Sequence, residues 1–154
     1  MSRFIPNENS YIGFSPTVPA DLSKPSVSEV TAAVDLTDYI SGLNFSATGS
    51  ALPTPSLATL FETSIPGTTT ATATLDAYRD DEDDLAWETL PRATEGCVFV
   101  SRYGGKPSVA GDKLEVWPIR VISRTASNMT NNTVQTFTTT FSVPVEPSED
   151  SVLT

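Results

Sequence analysis

Tyr78-Arg79-Asp80-Asp81-Glu82-Asp83-Asp84-Leu85-Ala86-Trp87-Glu88-Thr89-Leu90 is the stretch on which the fold turns. It leaves a strand at Tyr78, passes through five consecutive carboxylates, and continues as a short amphipathic helix over about residues 84–90. Leu85, Ala86, Trp87 and Leu90 form its apolar stripe, and Asp83 or Asp84 is placed to accept the free N–H groups of the first turn. Trp87 and Leu90, the bulkiest of the stripe, are the expected helix-docking core. Pro91 ends the helix. Everything on either side reads as β-structure, so the chain is expected to be mainly β. The expected form is an antiparallel β-sandwich or half-barrel with one short flanking helix and extended terminal arms.

The acidic turn itself, Asp80, Asp81, Glu82, Asp83 and Asp84, fits a solvated turn leading into a helix cap. It also fits a cation site or a surface that repels other anions. A helix-loop-helix calcium loop needs Gly at its sixth position and Glu at its twelfth. Counted from Asp80, those positions hold Leu85 and Pro91, which excludes that pattern.

Outward from the turn, Thr70 to Tyr78 alternates small apolar residues (Ala71, Ala73, Leu75, Ala77) with Thr70, Thr72, Thr74 and Asp76, and Leu43, Phe45 and Ala47 alternate with Asn44, Ser46 and Thr48. Such period-two patterns mark strands with one dry and one wet face. Leu57 to Phe61 reads as a return to regular structure after Pro53 and Pro55, and Val30, Ala32 and Val34 read as a further strand. On the other side, Gly96 to Tyr103 is apolar on both faces at its start, which suggests a central strand. Gly104 to Asp112 is a loop without a phosphate-binding glycine pattern.

Lys113 to about Thr125 and Thr133 to about Val145 are two long β runs. In the second, Phe137, Thr139, Phe141, Val143 and Val145 share one face, while Val134, Thr136, Thr138, Thr140 and Ser142 lie opposite. In the first, the apolar phase changes between Leu114/Val116 and Ile119/Val121, so a one-residue bulge is expected at Pro118. The organisation is therefore read as an N-terminal arm at 1–28, a β-domain at 29–145 and an acidic tail at 146–154. Both ends look too polar and proline-rich to build core. The arm is either a disordered leader or a segment that orders against a neighbouring subunit.

With 154 residues, one domain is expected. Nine Lys and Arg against 19 Asp and Glu give a net charge of -10, which disfavours unaided binding to phosphate backbones. There is no histidine, and the single cysteine, Cys97, sits in an apolar run, so hydrolytic triads and zinc sites are not expected. Paired carboxylates or a Ser–Lys pair could act as acid, base or nucleophile, but no spacing selects one. Neither an enzyme, a catalytic residue, a metal site nor a cofactor is expected. Trp87 and Trp117 could form a sugar-binding platform, yet each lies in an apolar pattern that reads as core. The N-terminal residues lack a basic segment followed by an apolar one, so a soluble, non-secreted chain is expected.

Five pieces together carry a resemblance. They are Val34-Asp35-Leu36-Thr37-Asp38-Tyr39-Ile40; Ile65-Pro66-Gly67-Thr68-Thr69; the Tyr78–Asp84 turn; Ala110-Gly111-Asp112-Lys113 with Val116-Trp117-Pro118-Ile119-Arg120-Val121; and Glu146-Pro147-Ser148-Glu149-Asp150. In that order they resemble the major tail (tail-tube) proteins of long-tailed, non-contractile bacteriophages, especially those of actinobacterial hosts, from about residue 30 onward. The resemblance implies a virion protein, assembled in the host cytoplasm, whose hexameric rings stack into a tube that conducts DNA during ejection. The partners it implies are other copies of the chain, tape-measure, terminator and distal tail proteins, and passing DNA without specific binding, with no membrane. Within that reading, Thr136, Thr138, Thr140 and Ser142 are candidates to face the lumen. The alternative is a non-enzymatic capsid-decoration or fibre-type binding domain.

Overall fold

The computed structural model describes residues 2–3, 5 and 9–154. Its strands are β1 (Tyr11–Ser15), β2 (Val34–Asp35), β3 (Ile40–Pro53), β4 (Ser64–Tyr78), β5 (Glu95–Ser101), β6 (Lys113–Ala126), β7 (Thr136–Ser142) and β8 (Ser148–Val152). Two short helices accompany them, α1 (Val27–Thr31) and α2 (Leu85–Thr89), with a 3-10 turn at Thr37–Tyr39. All pairings are antiparallel, in the order β2-β1-β5-β6-β7-β4-β3, and β8 adds to β6 beside β7.

This sheet is rolled without closing into a barrel. If it were flat, β3 and β6 would stand three strand spacings apart, about 14 Å. Instead the ring of Phe45 on β3 meets Trp117 of β6 edge-on at 5.4 Å and Phe141 of β7 at 5.6 Å. Phe45, Leu75, Val98, Trp117, Ile119, Val121, Phe137 and Phe141 fill the inside of the roll, and Ala86 and Leu90 of the α2 region join them.

A second cluster lies on the back of the same sheet. Tyr11, Val30, Ala33, Cys97, Phe99, Leu114, Val116 and Leu153 pack there beneath α1 and the C-terminal strand. That placement explains the phase change along β6. Leu114 and Val116 point into the back cluster while Trp117, Ile119 and Val121 point into the roll, so the strand needs no bulge to change its apolar face. Pro118 lies opposite Cys97 in an unbroken β5–β6 register. The expected bulge is instead a register shift between Val121 and Ser123, against β7.

Three further expectations change. Of the Val30-Ala32-Val34 pattern only Val34 lies in a strand, β2; Val30 belongs to α1 and Ala32 to its C-cap, and Val30 and Ala33, three apart, are the buried pair. Ser26 caps this helix, accepting from the Glu29 N–H at 3.2 Å while its hydroxyl donates to Glu29 Oε1 at 2.9 Å. Leu57 to Phe61 is an exposed loop rather than regular structure.

The ends also build core. All five residues of β1 are buried. Leu153 is 1% exposed, and the Ser151 hydroxyl donates to Leu22 O at 2.6 Å. Composition understates such segments because backbone pairing and one or two apolar anchors hold them in place. Among the described residues, no helix is long and apolar enough to cross a membrane.

Candidate functional site: a hydroxyl face and a projecting ribbon

Strand register brings the hydroxyl-bearing residues into one field. Asn44 of β3 faces Thr74 of β4, which faces Thr140 of β7, which faces Ser123 of β6. One row along, Asp76, Thr138 and Thr125 align, while Ser46/Thr72 and Thr48/Thr70 continue the field outward. Thr138 is exposed, whereas Thr136, Thr140 and Ser142 are half-buried. The Thr138 hydroxyl donates to Asp76 Oδ1 at 2.7 Å, and Thr48 and Thr70 place their hydroxyl oxygens 3.4 Å apart. Short polar side chains opposite a dry face are what period-two alternation produces. At one end of the field, Arg120 is matched by Glu95 at 3.4 Å, both well exposed.

Beyond Thr48 and Thr70 the β3–β4 hairpin loses its third strand, because β7 reaches only Ala73 to Tyr78 of β4. A two-stranded ribbon therefore projects from the body. Leu52 and Ile65 are exposed along it, and its tip carries Leu57 (110% exposed), Leu60 (108%) and Phe61 (75%). An isolated hairpin is marginal in water, and a cluster of large apolar side chains at its end marks a contact surface. Sequence reasoning missed this ribbon. Its signal was present in the unusual length of the two alternating runs flanking Pro53 and Pro55.

At the hairpin's other end, α2 docks as its stripe implies, though not by simple burial. Leu90 and Ala86 are fully buried. Trp87 is half-buried: its ring meets Phe137 edge-on at 5.1 Å and is covered by the Arg79 guanidinium at 3.9 Å and by that of Arg124 at 3.6 Å. Arg124 also donates to Trp87 O at 2.6 Å. Trp117 is fully buried, so the two tryptophans form no platform for sugar.

The acidic turn commits two of its five carboxylates, Asp80 and Asp84, within itself. Asp80 Oδ1 accepts from the N–H groups of Glu82 (2.8 Å) and Asp83 (3.0 Å), and these bonds hold its carboxyl below the usual range. Asp84 stands at the N-cap of α2 without capping it. Its carboxylate is taken by Arg79 at 2.6 Å and by the Asp80 N–H at 3.2 Å, a charge-assisted pairing that outcompetes a neutral cap. Burial, and then the nearby Asp83 and Asp80, push the Tyr39 hydroxyl up. Asp81 and Glu82 are exposed. Among the described residues, no group of three or more acids and cysteine is placed to hold a metal.

The site thus comprises a rolled antiparallel sheet with a small helix docked beside it, a hydroxyl face and an exposed apolar ribbon. A family profile described as phage tail tube protein matches residues 1–154. The chain belongs to the phage tail tube protein family. The match includes the first 29 residues, which the resemblance in sequence left uncovered. Membership makes the chain a structural component of the virion tail that assembles with other tail proteins. Among solved structures, a chain of the "Cryo-EM structure of the anti-feeding prophage (AFP) baseplate, 6-fold symmetrised" superposes with a TM-score of 0.57. The alignment covers 96% of this chain and 95% of that one at 11% identity, which speaks to fold alone. No curated protein matches the sequence.

Proposed function

We propose that this tail tube protein polymerises into stacked hexameric rings forming a non-enzymatic conduit for DNA, with the projecting ribbon seated on the adjacent ring. The observation that carries the reading is the ribbon tip: Leu57, Leu60 and Phe61 are exposed together at the end of a hairpin that, among the described residues, no third strand supports. Burying three such side chains supplies about 1.5 to 3 kcal/mol each, enough to drive association when repeated around a ring. A ring of six is supported by the six-fold symmetry named for the solved assembly with the same fold. The hydroxyl face, including Thr136, Thr138, Thr140 and Ser142, then lines the lumen, where it offers phosphate no unpaired cation.

The test is a triple substitution, Leu57→Ser, Leu60→Ser and Phe61→Ser. Thermal unfolding of the subunit should be unchanged, because these residues touch no core. Electron micrographs of concentrated protein should show tubes for the unaltered chain and at most isolated rings for the variant. Tubes of normal length from the variant would remove the ribbon from the stacking contact.

A further inference from the structure

The rolled sheet has several edges, and the chain covers two of them itself. On the β1 side, Ile12 donates to Thr37 Oγ1 at 3.0 Å and accepts from the Leu36 N–H at 2.9 Å. On the β8 side, Val152 donates to Ser23 O at 3.0 Å, and Ser151 reaches Leu22. The third edge is the outer side of β3, fourteen residues long and last in the strand order. Among the described residues no strand faces it, but a guanidinium does: Arg102, just past the end of β5, donates from Nη2 to Phe45 O at 3.1 Å. Unpaired edge carbonyls are templates for another strand, and a charged side chain laid against the edge is a usual way to block that pairing.

Arg102 is held in place from behind. Its Nε bonds Glu115 Oε2 and its Nη2 bonds Glu115 Oε1 at 3.3 Å. Glu115 in turn accepts from the indole N–H of Trp117 at 3.1 Å and is only 13% exposed, against 45% for Arg102. The fixed partner is thus the carboxylate and the movable one the arginine. Between the edges lies a cavity of about 340 Å³, lined by Ile12, Ile40, Leu43, Val100 and Arg102 among others. It has room for side chains from a strand laid along β3.

We propose that Arg102, anchored by Glu115, is a removable cap on the free edge of β3, and that a second copy of this chain displaces it when it pairs with that edge during assembly. The proposal rests on the self-assembly reading above. The occupant is a second copy because the family is one of self-assembling tubes and because the chain's own neighbouring segments are already committed to the other two edges. In the free subunit the cap satisfies one edge carbonyl and keeps subunits apart. In the assembled state the backbone of the neighbour takes over that carbonyl, and Arg102 swings back toward solvent while keeping its bond to Glu115.

The experiment measures the protein concentration at which the full chain begins to polymerise, by light scattering with micrographs of the product. The doubly altered chain Arg102→Ala/Glu115→Gln removes the cap, while the amide oxygen that replaces the carboxylate still accepts from the Trp117 indole. Its threshold should fall about tenfold relative to the unaltered chain, the equivalent of one charge-assisted hydrogen bond no longer broken on assembly. A threshold unchanged or raised in a variant that melts normally overturns the cap and leaves Arg102 a staple within the subunit, with the tube reading intact. Should the double variant not fold, Arg102→Lys replaces it, since lysine retains the pair with Glu115 but lacks the fork that reaches Phe45 O. A lowered threshold for Arg102→Lys supports the cap, and any other overturns it. If neither the unaltered chain nor a variant polymerises at any concentration, the tube reading fails and the cap with it.

Discussion

Two parts of the same sheet are built on opposite principles. Where β5 runs beside the first half of β6, both faces are covered, by the inside of the roll and by the back cluster under α1 and Leu153. Where β3 and β4 run out beyond Thr48 and Thr70, no other strand pairs with them among the described residues, and Leu52, Leu57, Leu60, Phe61 and Ile65 are exposed. The first region is a large part of the subunit's core, since apolar area is removed from water there on two sides. The second contributes little to folding and leaves its large apolar groups exposed. With the ribbon as the stacking contact proposed above, stability and assembly are separable along the strands of one sheet, and substitutions in the two regions should fail in different ways.

The largest effect is expected from Phe99→Ala. Phe99 is fully buried in the back cluster, between β5's two neighbours, where the sheet has little freedom to collapse into the space left behind. A loss of about 3 to 5 kcal/mol is expected, measured by urea unfolding of the subunit. A loss below about 1 kcal/mol would mean that the back cluster does not hold the sheet, and the contrast between the regions would fail.

The same cluster should make the subunit sensitive to alkali. Burial, and secondarily the Glu29 carboxylate, push the Cys97 thiol up from 9.0 to about 12, so the folded chain keeps a proton that the unfolded chain releases. The sign follows: this contribution is complete below pH about 9 and is lost as pH rises from there toward 12. Tyr11, likewise pushed up to about 12 by burial and then by Asp35, adds to the upper part of that fall. Unfolding midpoints of Cys97→Ala should decline less steeply above pH 9 than those of the unaltered chain. Parallel curves would show that the thiol is not what titrates.

How much of this could be read from residues alone differs by region. The wet face of β7 and the central position of β5 were legible because alternation and double-sided apolarity report burial directly. So was α2, whose stripe is contiguous in sequence. The back cluster was not, since Leu114 and Val116 are core only because α1 and Leu153 lie over them, and no pattern within β6 says so. The local signal for α1 that the sequence reading passed over is the Ser26-x-x-Glu29 capping pair, hidden behind the apparent alternation of Val30, Ala32 and Val34. The ribbon escaped notice for a related reason: Leu57, Leu60 and Phe61 look like core until it is known that no strand lies beside them.

Trp87 sharpens the comparison because it belongs to neither extreme. Half-buried, it is gripped by Phe137 and by two guanidinium groups rather than enclosed. Trp87→Ala should therefore cost about 2 kcal/mol, less than a fully buried aromatic, and part of that loss should be cation–π attraction. Trp87→Leu separates the two contributions by restoring apolar contact with Phe137 without a ring face for Arg79 and Arg124. If Leu restores full stability in thermal unfolding, the cations add nothing.

Smallest in its effect on the subunit, and the most direct probe of the hydroxyl face, is Thr138→Lys. An exposed strand position tolerates a long side chain, so unfolding should shift by no more than about 0.5 kcal/mol. The new ammonium will not stand alone, because Asp76 already receives the Thr138 hydroxyl and is the nearest anion. Thr138→Lys by itself should accordingly bind DNA little more than the unaltered tube does. Adding Asp76→Asn frees the cation, and every subunit along the tube then offers one phosphate contact, each contributing about 0.9 to the slope of log affinity against log salt. If these residues line the lumen, virions carrying the double substitution should form tails of normal length yet eject DNA slowly, with recovery as salt is raised. Normal ejection together with salt-sensitive DNA binding to the outside of assembled tubes would put this face on the exterior, and the lumen would have to be sought on another surface of the sheet.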